Sequence, residues 1–336
     1  MVRLQIFLDQ QNFGPGVIDG KSGTYTTKAI EAYNKKFGRA PEDNDQIARE
    51  AILKTPTIYA TAIVPDIANQ FIDVHFKWGN DRHYQATRKD MPYRSIAEFM
   101  AERYHTSIDL LKWLNGDDVV DNATTRSALI VPNVEPFHIE SMAEGRTYKK
   151  DDSLSLRWAV IDTKDHQIRI YEPVDPVQLS DPVTEEQLPI KIELAHSPNK
   201  AVVVVEDPDP QQTLTAYDEH RALIVAAFPI TPGKPQFIRY GTWKMNNSIE
   251  FPTWRFDDSL LKTGKRSSTS LTIPYGPNNP VGVLWMGLSR RGIGIHGTNN
   301  PEKIGRGLSA GCIRMANWDV VKMPQLIRPG ATVIIK

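Results

Sequence analysis

GIGIHGTNNPEKIGRGLSAGCIRM, residues 292–315, holds the only cysteine of the chain, Cys312, and one of its eight histidines, His296, sixteen residues upstream. Glycines crowd both, at positions 292, 294, 297, 305, 307 and 311. A thiol becomes a nucleophile when an imidazole takes its proton. Glycines let backbone come close to a bound group. The spacing Gly292-x-Gly294-x-x-Gly297 formally fits a dinucleotide fingerprint, but no helical pattern opens behind it and no β-α-β unit surrounds it, so the match is set aside.

Working outward, short apolar runs bounded by Gly or Pro dominate the C-terminal part: Leu223–Phe228, Gly241–Met245, Leu271–Ile273, Val283–Met286, Ile293–His296 and Thr332–Ile335. Many short strands with turn signals predict a mostly β domain, sandwich- or barrel-like, over 201–336. The one good helical pattern there is Asn317–Ile327, with Asn317 expected as its N-cap. Upstream, 135–200 is a polar, proline-rich linker carrying one hairpin, Arg157–Asp162 with Gln167–Tyr171. A second pair, Val202–Glu206 with Gln212–Tyr217, is taken as the start of the last domain.

The N-terminal third changes period. Residues 3–11 place Leu4, Ile6, Phe7 and Leu8 on a short, partly amphipathic helix. A glycine-dense loop, Phe13 to Lys21, precedes a helix from about Thr26 to Phe37, with Thr26 expected as its cap. A third helix is expected over 45–54. Residues 1–55 thus form a small three-helix domain. Residues 56–90 read as a linker with some strand. Over 91–134 come two helices, with Ile96, Phe99, Met100 and Tyr104 on the first and Ile108, Leu111 and Leu114 on the second, then Asn115-Gly116, a charged loop over 117–127 and a strand at Ala128–Asn133. No opening strand is legible directly ahead of Tyr93.

At 336 residues the chain exceeds one ordinary core, and two or three domains are expected. Forty basic and forty acidic residues cancel, which argues against a nucleic-acid footprint. No apolar run reaches the roughly 20 residues that span a bilayer. The start, MVRLQIFLDQ, lacks a leader's basic head and apolar core, so either the protein is cytoplasmic or a leader has been removed. One cysteine permits no internal disulfide and no cysteine-rich metal site; no metal, nucleotide or other cofactor is indicated. A lone cysteine is by default a small buried hydrophobe. His75, His83, His105, His138, His166, His196 and His220 are read as ordinary surface or core residues.

Three resemblances follow. LQIFLDQQNFGPGVIDGKSG with TTKAIEAYNKKFG resembles the small three-helix peptidoglycan-binding domain. The order helix, His105-Thr106-Ser107 turn, helix, Asn-Gly, then LIVPNV is similar to a LysM module. Residues 201–336 resemble the L,D-transpeptidase (YkuD-like) catalytic domain. That likeness rests on AAFPITPG at 226–233, YGTW at 240–243, NPVG at 279–282, WMGL at 285–288, GIHGT at 294–298 and SAGCIRM at 309–315. The family usually has Ser/Thr-His-Gly-Cys there, whereas position 310 is alanine. With the ordered motifs in hand, catalysis becomes the better reading of Cys312.

The third resemblance implies a peptidoglycan L,D-transpeptidase. Cys312 would attack a tetrapeptide stem between the L-centre of its third residue and the terminal D-Ala. His296 would be the base, oriented by the backbone carbonyl of Gly297. The N–H groups of Gly311 and Cys312 would form the oxyanion hole. The thioester would pass to an amine of a second stem or of a wall-attached lipoprotein. Resolution by water would instead make a carboxypeptidase or cross-link hydrolase, and a degenerate site would leave a non-catalytic wall-binding protein. Arg314 would hold a stem carboxylate or an edge salt bridge. Ser309, placed beside the substrate, is expected to hold the cysteine loop. Trp285 and Tyr275 would line the groove or pack in the core. Partners implied are peptidoglycan stems and glycan, with carbapenem β-lactams as inhibitors, and the implied location is extracytoplasmic, periplasm or cell wall.

Overall fold

The computed structural model describes residues 1–79, 81–173, 222–259, 267–309 and 311–336. The second expected hairpin (202–217), His196, His220 and Ala310 lie outside the described residues.

Three helices open the chain: α1 (Val2–Gln10), α2 (Thr24–Lys36) and α3 (Asn44–Lys54). Asp43 caps α3 by accepting from Gln46 N–H at 3.1 Å. Thr26 does not cap α2. Gly23 is the N-cap, and Thr26 is buried inside the first turn, where its Oγ1 accepts from Gln5 Nε2 at 3.4 Å. The reason is that α2 starts two residues earlier than its apolar pattern.

Next come β1 (Tyr59–Ile63), α4 (Arg82–Ala86), α5 (Ile96–Arg103), α6 (Ile108–Asn115), α7 (Asp117–Asp121) and β2 (Ala128–Pro132). Ser95 and Ser107 cap α5 and α6, accepting from Glu98 N–H at 3.2 Å and Leu110 N–H at 3.1 Å. β1 pairs antiparallel with β2, Tyr59 opposite Pro132 and Ile63 opposite Ala128. The strand not legible ahead of Tyr93 therefore lies earlier, within the span read as linker. Residues 64–95 intervene between it and α5, which is why local pattern did not join them.

The C-terminal half holds β3 (Trp158–Asp162), β4 (Gln167–Pro173), β5 (Ala222–Pro229), β6 (Gly241–Glu250), β7 (Trp254–Phe256), β8 (Leu271–Ile273), β9 (Leu284–Leu288), β10 (Gly294–His296), β11 (Ile313–Arg314), α8 (Asn317–Val320) and β12 (Thr332–Ile335). Eight strands form one sheet in the order β11-β10-β9-β6-β12-β3-β4-β5, and β7 pairs with β8. β6 turns a corner. Its first residues pair with β12 and, after a register shift between Met245 and Asn247, its later ones pair with β9. The two halves share one core, in which Ile161, Ile168 and Phe228 of one meet Met286, Ile295 and Ile313 of the other. The mostly β reading holds in this sandwich-like form.

The hairpin expected in a linker lies inside this sheet as β3 and β4, and β3 runs parallel to β12. Its position follows from burial on both faces. Ala159 and Ile161 face the sheet core, whereas Trp158, Val160 and Tyr171 face the N-terminal helices through Phe7, Phe13, Tyr33 and Ile47. A strand covered on both sides reads as a continuous apolar run, here Trp-Ala-Val-Ile. The expected helix Asn317–Ile327 is α-helical only to Val320. A 3-10 turn takes over at Met323–Gln325, where Pro324 cannot supply an N–H.

Candidate active site

Parallel pairing of β10 with β11 sets Ile295 opposite Ile313 and His296 opposite Arg314. Carried one residue back, this register puts Cys312 opposite Gly294. Cys312 and His296 thus project from the same face, one pleat apart, because side chains alternate with period two.

His296 is buried, and its Nδ1 lies 2.6 Å from the carbonyl oxygen of Gly297. A carbonyl can only accept, so Nδ1 carries the hydrogen and Nε2 is left as the acceptor. On the neighbouring strand Trp285 is the direct cross-strand partner of His296. The two rings stack with centroids 5.4 Å apart at 14°. Burial first, and then the Arg314 charge, push the His296 pKa down to about 3, so the ring rests neutral.

Cys312 is half-buried, with Sγ 3.8 Å from the carbonyl oxygen of Gly292. Burial pushes its thiol up, opposed by a hydrogen bond from Gly294 and by the Arg314 charge. At rest the thiol and the imidazole, on the same face of the sheet, are both neutral. The arrangement suits proton transfer during attack rather than a standing thiolate.

The loop that presents the thiol is tied by Ser309. Its buried hydroxyl donates to the Cys312 carbonyl and accepts from Gly311 N–H at 3.2 Å. Through that second bond the Gly311 N–H is engaged within the loop in this structure. Gly311 has φ +117°, and a Cβ on Gly233 would stand 2.5 Å from the Gly311 Cα, so two glycine backbones pack directly together. Thr231 N–H donates to the Arg314 carbonyl at 2.9 Å and the Thr231 carbonyl accepts from Arg314 N–H at 3.0 Å, which docks the 229–233 turn against β11.

Arg314 keeps a buried Nε without a hydrogen-bond partner, and burial lowers its pKa. Tyr275 does not join the pair. It packs on Phe251, ring centroids 5.4 Å apart, and borders a cavity of about 480 Å3 whose lining includes neither Cys312 nor His296.

Sequence reasoning misassigned Asn317. The α8 N-cap is Ala316. Fully buried, Asn317 accepts through Oδ1 from Val283 N–H and Thr298 N–H, both at 3.2 Å. Its Nδ2 donates to Glu102 of α5 at 3.0 Å and to the Pro277 carbonyl at 3.3 Å. It thereby fixes the residues just after His296 to the β1–β2 unit. No local signal marks such a contact, because its partners come from three distant segments. Among the described residues, no group of three or more His, Cys, Asp or Glu side chains could hold a metal ion.

Comparison with known proteins finds a family match over the C-terminal part of the chain. Residues 200–335 match the YkuD family, L,D-transpeptidase catalytic domain. YkuD of Bacillus subtilis (strain 168) is 48% identical over 59 residues, 18% of this chain and 36% of its own length. ErfK/SrfK of Escherichia coli (strain K12) is 33% identical over 100 residues, 29% of this chain and 32% of its own. Both carry L,D-transpeptidase in their names. The chain spans about a third of the length of these curated relatives. L,D-transpeptidase 3 from Mycobacterium tuberculosis, solved with a faropenem-derived adduct, aligns over 64% of this chain and 76% of its own at 14% identity and a TM-score of 0.31. The YkuD match begins downstream of β3 and β4, yet both strands lie in the domain's sheet.

Proposed function

We propose that the protein is a peptidoglycan L,D-transpeptidase. The observation that carries this reading is the pairing of Cys312 with an imidazole whose Nδ1 is held by the Gly297 carbonyl, leaving Nε2 as the acceptor on the thiol's face of the sheet. His296 takes the thiol proton as Cys312 Sγ attacks the stem carbonyl between the L-centre of the third residue and the terminal D-Ala. The Cys312 N–H stabilises the developing oxyanion, joined by Gly311 N–H once Ser309 releases it. Collapse expels D-Ala, which takes its proton from His296, and leaves a thioester. An amine of a second stem or of a wall-attached protein, deprotonated by His296, then displaces the sulfur.

Arg314, with its unpartnered Nε, supplies positive charge beside both groups. Trp285 excludes water from one face of the imidazole. The first three helices and the β1–β2 unit are assigned to the wall as peptidoglycan-binding-like and LysM-like modules. What supports the second assignment is the antiparallel pairing of β1 with β2 across a segment that carries the helix pair α5 and α6, flanked here by the additional short helices α4 and α7. The expected location is extracytoplasmic.

Two measurements test this. Exposure to meropenem should add one acyl group to the intact protein and none to Cys312→Ala. Incubation with disaccharide-tetrapeptide should give cross-linked dimers. Shortened monomers alone would mean that water resolves the thioester, and absence of the adduct would leave only a wall-binding role. Sacculus pull-down with full-length Trp113→Ala, altered at an exposed aromatic on α6, tests the second module.

A further inference from the structure

The loop after His296 meets a second wall that the matched domain does not supply. Side chains from the segment between β1 and α5 reach that loop and border a cavity of about 390 Å3 against it. Trp78, Arg82, Gln85 and Arg94 line it from one side, Asn278 and Asn299 from the other. Asn299 is three residues beyond His296. At about 3.8 Å per residue its Cα lies no more than about 11 Å from that of the histidine.

The lining brings two guanidiniums and three carboxamides and no carboxylate. Arg82 is half-buried over the rings of Trp254 and Phe256, 5.2 and 5.8 Å from their centroids. Its hydrogen-bond partner is neutral, Gln85 Oε1 at 2.6 Å. Burial lowers its pKa with no acid opposing the shift. Arg94 stands over Trp78, 4.8 Å from the ring centroid, and its Nε is 3.8 Å from Glu98. The Glu98 carboxylate makes closer bonds to the Arg94 N–H at 2.5 Å and to Asn278 at 3.2 Å. A guanidinium drawn out of water with only a neutral partner is costly until an anion completes it. Its planar fork suits a carboxylate.

We infer that this cavity is an anion subsite of the acyl-transfer cleft, where Arg82 and Arg94 hold a carboxylate carried by the peptide substrate. Trp78, Arg82, Gln85 and Arg94 then act as a specificity wall that selects acidic over amidated peptides. The identity of the ligand rests on the acyl-transfer reading of Cys312 and His296, whereas the cavity's preference for an anion does not.

The test uses full-length Cys312→Ala and calorimetry with two tetrapeptides, one with free side-chain carboxylates and one with those groups amidated. The acidic peptide should bind about tenfold more tightly, as expected for one charge-assisted hydrogen-bonded contact. Arg82→Gln and Arg94→Gln should each remove that preference and leave the amidated peptide unchanged, and Arg82→Lys should restore part of it. Arg94 is exposed, so its variant serves if Arg82→Gln does not fold. Equal binding of the two peptides, or variants that weaken both alike, overturns the inference. So does inorganic phosphate binding as tightly as the acidic peptide, which would mark a site for free anions. Should native protein take no acyl group from meropenem while the preference persists, the acyl-transfer reading fails and the subsite stands. Acylation without the preference gives the reverse.

Discussion

Replacing Asn317 with alanine removes one carboxamide that serves four partners. Two backbone donors, Val283 N–H and Thr298 N–H, lose their acceptor, and Glu102 and the Pro277 carbonyl lose a donor. The site is fully buried, so bulk water does not replace them. Each stranded buried donor costs about 1–3 kcal/mol, which gives roughly 2–6 kcal/mol for the two. The space vacated is about that of one water molecule, which can re-satisfy part of the set and brings the expectation to ~2–4 kcal/mol. The loss should appear in urea unfolding as a lower midpoint at unchanged slope. Thr298 follows directly on the Gly297 carbonyl that orients His296, so meropenem acylation of Cys312 should slow as well, even well below the unfolding midpoint. A destabilisation under about 1 kcal/mol with normal acylation would refute the idea that this amide couples the β1–β2 unit to the imidazole.

Gly233→Ala should cost about a hundredfold in acylation rate while the protein stays folded, since its Cβ would push the Cys312 loop by its Gly311 backbone. Iodoacetamide alkylation of Cys312 should be slow at neutral pH and climb through the alkaline range, because burial raises the thiol; a plateau already reached in mild acid would indicate a standing thiolate. Arg314→Met should delay that climb further and raise the His296 pKa from about 3, read by imidazole NMR, since the Arg314 charge depresses both groups. Glu102 and Asp319 are both buried and pushed up to about 8, from 4.5 and 3.8. Folding therefore takes up protons between those lower values and about 8, and their contribution to stability falls as pH rises across that window. Glu102→Gln should accordingly gain stability relative to the parent near pH 8 and little near pH 4, by thermal melts at both.

The sequence by itself determined many of the local elements and singled out the candidate pair. Thr332–Ile335 and Leu271–Ile273 emerge as strands with the expected bounds, since a short apolar run between turn residues carries its own signal. Cys312 and His296 were legible as candidates because a thiol, an imidazole and a glycine-rich turn lie within one short stretch. Tertiary structure decided everything that joins distant segments. It placed Trp158–Pro173 inside the sheet rather than in a linker, and it paired Tyr59–Ile63 with a strand beyond four helices. Asn317 became a four-way tie instead of a helix cap, and Arg82 came to border the loop after His296. Period and capping are properties of neighbours along the chain, whereas burial on a second face and the partners of a buried amide depend on which remote surfaces arrive there.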